Sequence, residues 1–131
     1  MSTKEIRKFL VQGTLTGKLA TVKKDGSPHV VPIWFILDDI DYDNSVDTIF
    51  TTGSTSVKAI NIRLNNRVSI CIDDQTPPFS FVTVYGAAEI QQINRNELLK
   101  WATKIAERYM GKDNADPMAL ETVQRENCWC G

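Results

Sequence analysis

The sequence predicts a mainly β protein with flanking helices, built as an antiparallel barrel. Three observations carry that expectation. The β-rich runs are short and follow one another through hairpins or short loops, which is the connectivity of antiparallel pairing. A single short helix interrupts them, so long parallel crossovers are not the theme. About six strands with Gly or Pro punctuation would leave two long edges exposed in an open sheet, which argues for closure.

The elements follow in order. Ser2 and Glu5 form a capping-box pair, Ile6, Phe9 and Leu10 then share one helical face, and Gly13 stops the turn. Residues 18–22 and 29–37 are β-rich, and Lys24-Asp25-Gly26-Ser27 between them supplies the positive φ of a tight hairpin. Pro32 lies inside the second run and removes a ladder donor, which restricts it to a bulge, an edge or an interruption of pairing. Residues 38–47 are acidic without apolar periodicity and read as a solvated loop. Residues 48–52 are the third strand, and Gly53-Ser54-Thr55-Ser56 leads into a helix over 57–64 in which Val57, Ile60 and Leu64 repeat at helical spacing. Asn65-Asn66 breaks that helix, residues 67–72 alternate as a fourth strand, and a proline-closed loop over 73–78 precedes a long fifth strand over 79–93. Asn94 caps the last clear helix with Glu97 at its third position. Its stripe is Leu98, Leu99, Ala102, Ile105, Ala106 and Tyr109, and Gly111 ends it. Asp116-Pro117 suits the start of a short helix running to 126, while residues 127–131 show no pattern. Residues 1–131 therefore read as one domain, with 112–131 an atypical C-terminal tail.

Composition narrows the function classes. Hydrophobic residues at 42% and charged residues at 24% exclude disordered, collagen-like and disulfide-scaffold readings. Fifteen Lys+Arg against 16 Asp+Glu leave a net charge of -1, which provides no basic field for nucleic acid, so any anion site must be local. No apolar run approaches the ~18 residues that cross a bilayer. The charged, amphipathic start lacks a signal peptide's apolar stretch, so no membrane association is expected and the chain reads as cytoplasmic. Three cysteines without framework spacing predict no structural disulfide.

The strongest local site is the run Thr51-Thr52-Gly53-Ser54-Thr55-Ser56-Val57-Lys58. Hydroxyls and free backbone N–H groups gather where a helix begins, its partial positive end favours phosphate, and Lys58 adds a full charge. Arg63 and Arg67 are available as a second cation. An ordinary Ser-capped surface helix would have the same residues, and the Gly spacing of a Walker loop is absent. His29 is the only histidine, so no histidine-rich metal site can form. At the start of a strand it reads as a structural ring bonded to backbone. Cys128 and Cys130 are too few for zinc, and a mobile terminus is the simpler account of them. Trp34-Phe35 beside Pro32-Ile33 suits a planar ring or, equally, a core.

Five ordered motifs then carry a resemblance: Gly17-Lys18-Leu19-Ala20-Thr21-Val22; the run from Asp25-Gly26-Ser27-Pro28-His29 through Val30-Val31-Pro32-Ile33-Trp34-Phe35; Ser56-Val57-Lys58-Ala59-Ile60-Asn61-Ile62; Asn66-Arg67-Val68; and Pro77-Pro78-Phe79 to Gly86. Over residues 4–110 the chain resembles the pyridoxamine 5'-phosphate oxidase-like split β-barrel flavoproteins, in the small branch that binds FMN or the deazaflavin coenzyme F420. The resemblance implies an FMN-binding type of split barrel. It assigns the cofactor phosphate to Ser56 and Lys58 with Thr51 and Thr52, and the ring to Val31, Pro32, Ile33 and Trp34. It also implies a homodimer with a cofactor in each interfacial cleft, where residues near Pro78, Phe79 and Tyr85 complete the partner's site. The final strand expected of such proteins is missing from the pattern of 110–131, as is the C-terminal arginine and aromatic run of true pyridoxamine-phosphate oxidases. The expected function is therefore a flavin-type oxidoreductase moving hydride to or from a small organic substrate. The alternative is a non-catalytic FMN- or heme-binding module of the same fold.

Overall fold

The computed structural model describes residues 2–38, 47–53, 55–111 and the backbone of 128–130. Helix α1, Thr3–Val11, begins at the expected capping box: Ser2 Oγ accepts the Glu5 N–H at 3.2 Å, and Glu5 Oε1 accepts the Ser2 N–H at 3.5 Å. Strands β1, Gly17–Val22, and β2, Pro28–Ile33, form the expected hairpin, in register from Val22 opposite Pro28 to Gly17 opposite Ile33. Gly26 takes φ +88° at its tip. The Asp25 carboxylate accepts both the Ser27 hydroxyl, at 2.6 Å, and the Ser27 N–H, at 3.0 Å, and these bonds hold its pKa below the usual carboxylate value.

The remaining elements are β3, Ile36–Leu37, β4, Thr48–Thr52, α2, Val57–Leu64, β5, Arg67–Asp73, β6, Phe81–Ala87, β7, Ile90–Gln92, α3, Arg95–Met110, and β8, Cys128–Cys130. They build two four-stranded sheets, in the orders β2-β1-β5-β6 and β3-β4-β8-β7, with every recorded pair antiparallel. This is the expected split barrel with flanking helices. Pro32 lies on β2, an outer strand of its sheet, where only alternate residues donate into the ladder, so its missing N–H is accommodated.

Two strands expected to be continuous are not. The run over 29–37 breaks at Trp34-Phe35, and the run over 79–93 breaks at Ala88-Glu89. Each break is where the chain leaves one sheet for the other. At the first corner β-rich composition runs straight through Trp34-Phe35, so the side chains hide it, whereas the second falls on Gly86-Ala87-Ala88-Glu89, residue types that strands use less often. At the second corner the Ala88 N–H donates to the Asn66 carbonyl at 2.8 Å, which satisfies one group freed from the ladder.

The C-terminal end also corrects the expectation. Cys128–Cys130 is a strand, paired with Phe50, Thr51 and Thr52 of β4 on one side and with β7 on the other. Three residues are too few to show alternation, so backbone pairing alone creates this strand, and a mobile terminus does not describe 128–130. The acidic segment is closed at its base by the Asp38 N–H on the Asp47 carbonyl at 3.0 Å. Residues 39–46 and the helix expected from Asp116 lie outside the described residues.

The core lies between the sheets and beneath α1. Leu10, Leu19, Phe35 and Ile72 are fully buried there with Phe9, Ile33, Phe50, Ile62 and Ile70. α2 packs on β1 and β7, and α3 packs on β3 and β4. Leu98, Ala102, Ile105 and Ala106 of α3 are buried, while Leu99 and Tyr109 are half-buried. Gly17 is required at its place because a Cβ there would stand 2.8 Å from Ile70 Cγ2 and 3.4 Å from Ile33 and Phe35. Ile70 is β-branched and buried, and cannot swing aside. Gly17→Ala is therefore expected to lower stability by roughly 1–3 kcal/mol, the cost of overpacking, measured as the shift of the urea midpoint.

Candidate functional site

The site grows from the junction of β4 and α2. Ser56 caps α2 by accepting the Ala59 N–H on its Oγ at 3.2 Å, and the same oxygen lies 2.7 Å from Thr52 Oγ1. Thr52 is fully buried. The two hydroxyls thus tie the end of β4 to the start of α2. One turn on, Asn61 is 4% exposed and donates from Nδ2 to Thr21 Oγ1 at 3.0 Å, which pins α2 to β1. Ala59, fully buried, lets the helix sit close. These contacts turn Lys58, half-buried in the first turn, toward a cavity of about 240 Å³.

Thr51 and Lys58 stand on one part of the cavity wall, Pro32, Ile33 and Trp34 on another, and Ala102, Ile105 and Ala106 of α3 on the third. Five of the residues expected from sequence are thereby brought together: Pro32, Ile33, Trp34, Thr51 and Lys58. Val31 is not among them and packs against the core, as alternation on β2 requires. Thr52 and Ser56 stand behind the wall, their hydroxyls bonded to each other. Pro78 and Phe79 lie elsewhere on the chain. Phe79, at φ +60° and 62% exposed, borders a separate depression with Lys18, Cys71 and Phe81 on the outer face of the first sheet. Arg63 and Arg67 are exposed and do not line the cavity.

His29 is half-buried opposite Thr21, and its Nδ1 is buried without a hydrogen-bond partner. The backbone tether expected for the ring does not form at that atom. His29 does not line the cavity either.

Sequence reasoning missed the group that holds the aromatic wall. Tyr109 stacks on Trp34 with ring centroids 4.9 Å apart and planes 5° from parallel. Its hydroxyl donates to the Leu15 carbonyl at 2.8 Å and accepts the Phe35 N–H at 3.2 Å. Beside it Arg108 donates to three carbonyls: Phe35 from Nη1 at 2.7 Å, Leu10 from Nη2 at 2.6 Å and Gly13 from Nε at 3.2 Å. Its guanidinium also lies over the Phe35 ring at 4.6 Å. Burial pushes the Arg108 pKa down and the Tyr109 pKa up. In sequence Arg108 is a cation in the last turn of a helix, which the helix dipole alone would explain.

Chemically, the cavity offers a cation, a hydroxyl and a helix start for an anion, beside an apolar wall for a flat ring. No carboxylate, histidine or cysteine lines it among the described residues, and no cluster there could hold a metal ion. No described helix is long and apolar enough to cross a membrane.

Comparison with known proteins bears on the family and the fold. Residues 2–125 match the family model described as pyridoxamine 5'-phosphate oxidase. The conserved hypothetical protein Rv2991 from Mycobacterium tuberculosis is similar at 30% identity and TM-score 0.79, over 99% of this chain and 78% of that one. A protein named F420 reductase is similar at 30% identity and TM-score 0.64, over 79% of this chain and 76% of its own. HutZ, the heme storage protein from Vibrio cholerae, shares the fold at 18% identity and TM-score 0.70, over 99% of this chain and 87% of its own. No curated protein matches the sequence.

The hydroxyl pair gives a direct test of the junction. Ser56→Ala removes the cap and leaves buried Thr52 Oγ1 without that partner, so stability is expected to fall by about 1–2 kcal/mol in urea unfolding. An unchanged midpoint would mean that neither bond contributes.

Proposed function

The chain belongs to the pyridoxamine 5'-phosphate oxidase family, and on that footing we propose that it is a flavin-type oxidoreductase that binds FMN or the deazaflavin coenzyme F420. The observation that carries this reading is the convergence of Lys58 and Thr51 with the Pro32, Ile33 and Trp34 wall on one cavity. Lys58 makes no ion pair among the described residues, so its charge is available to an anion. These residues fit a phosphorylated planar cofactor: Lys58, Thr51 and the start of α2 would hold the phosphate, and Pro32 and Trp34 would flank the ring. Such a cofactor supplies hydride transfer when bound. The protein's part is to anchor, orient and exclude water. Among the described residues the lining holds no carboxylate or histidine, and orientation is the lever the lining supplies.

About 240 Å³ holds only part of such a molecule. We propose that a second copy of the chain completes the cleft. The outer face of the β2-β1-β5-β6 sheet carries Val30 at 60%, Phe81 at 65% and Tyr85 at 80% exposure, and register aligns Val30, Ala20, Ser69 and Tyr85 across all four strands. An apolar sheet face of this kind suits an isologous interface burying about 800 Å² per partner. A small organic molecule remains the expected substrate.

A second reading is a non-catalytic FMN-binding module, in keeping with a lining that, among the described residues, has no carboxylate or histidine. A heme-binding role is less supported, because His29 is not on the lining. Reduction of bound FMN by a nicotinamide donor, or turnover with reduced F420, separates enzyme from module.

Lys58→Ala is expected to weaken cofactor binding by roughly 1.5–3 kcal/mol, the range for a charge-assisted hydrogen bond, with the fold intact. Titration of FMN and F420 into both proteins checks this, and unchanged affinity for both would remove Lys58 from the site. Sedimentation at micromolar protein is expected to report about twice 14.7 kDa. The double substitution Phe81→Glu, Tyr85→Glu is expected to give a monomer with weakened cofactor binding. A monomeric wild type with full affinity would refute the shared cleft.

A further inference from the structure

The cavity's aromatic wall is held by residues that do not line it. Trp34 and Phe35 belong to neither β2 nor β3, because the chain changes sheets there, so no strand ladder fixes the Trp34 ring. Tyr109 lies flat on Trp34 and is absent from the lining. Its hydroxyl bridges the Phe35 N–H and the Leu15 carbonyl, and Arg108 locks the Phe35 carbonyl to those of Leu10 and Gly13. One turn of α3 therefore sets both the backbone beneath Trp34 and the plane of its ring.

We propose that Tyr109 is a positioning residue for ligand binding, acting through Trp34 to hold a fixed aromatic surface against which a planar ring packs. The proposal rests on the cofactor reading above and deepens it, since it ties the cavity's preference for flat ligands to a residue outside the cavity. An indole on an irregular segment would otherwise lose rotamer freedom when a ligand binds, and a ring already stacked has lost it on folding.

The test is a double-mutant cycle read by FMN and F420 affinity, with the indole N–H resonances of the tryptophans as an independent signal. Tyr109→Leu is expected to weaken binding by about 2- to 12-fold, the span of a stacked aromatic pair, in the wild-type background. It should have no further effect in a Trp34→Leu background. The Trp34 indole signal should shift and broaden, while that of Trp101 stays in place. Tyr109→Phe keeps the ring, and should retain the Trp34 signal and more of the affinity than Tyr109→Leu. Equal loss in both backgrounds, no loss in either, movement of the Trp34 and Trp101 signals together, or a poorer Tyr109→Phe than Tyr109→Leu would overturn the proposal. If the wild type binds neither FMN nor F420, the cofactor reading fails separately. The Trp34 signal then still decides whether Tyr109 holds the ring, and an unmoved signal in Tyr109→Leu refutes that hold.

Discussion

Three backbone carbonyls converge on one guanidinium. Leu10 lies in the last turn of α1, Gly13 follows the helix, and Phe35 lies where the chain leaves one sheet for the other, and Arg108 reaches all three from the last turn of α3. A split barrel must change sheets somewhere, and at that corner backbone polar groups lose their ladder partners. Each one buried without a bond would cost about 1–3 kcal/mol. Arg108 and the Tyr109 hydroxyl supply the missing partners from outside the sheets. Because Arg108 also lies over the fully buried Phe35 ring, the same residue joins α1, the corner and α3 around the core.

The functional surface inherits its order from that corner and from the β4–α2 junction. At the junction two buried polar pairs, Thr52 with Ser56 and Asn61 with Thr21, fix the helix start from behind. Lys58 and Thr51 face forward, toward the cavity. Ser56 and Asn61 thus hold the helix that presents Lys58, and their hydrogen-bonding capacity is spent largely within the protein. This division leaves few side chains facing the cavity from the start of α2 and makes the position of Lys58 a property of buried packing.

What local chemistry dictates was legible in the chain. The Ser2–Glu5 box, the Asp25-Gly26 turn, the Asn94 cap and Gly111 stop each depend on a few neighbouring residues, and each forms where expected. The grouping of Thr51 and Lys58 was likewise visible, because a helix start and a first-turn lysine are sequence-local. So was the restriction of Pro32 to a bulge, an edge or an interruption of pairing, of which the structure takes the edge.

Tertiary structure alone decided the rest. The corner at Trp34-Phe35 interrupts a β-rich run with no change in composition, and at both corners the sheet each strand joins depends on distant pairing partners. Cys128–Cys130 becomes a strand because β4 and β7 leave a gap of one strand's width between them, which no pattern within three residues can announce. Arg108 and Tyr109 look in sequence like a dipole-complementing cation and a stripe residue. Their partners are residues 10, 13, 15, 34 and 35, more than 70 positions away. The sequence by itself determined the turns, the caps and the local grouping of Thr51 with Lys58, because those arise from bonds between near neighbours. Which residues stand together around the cavity was decided only when the two sheets closed over a shared core.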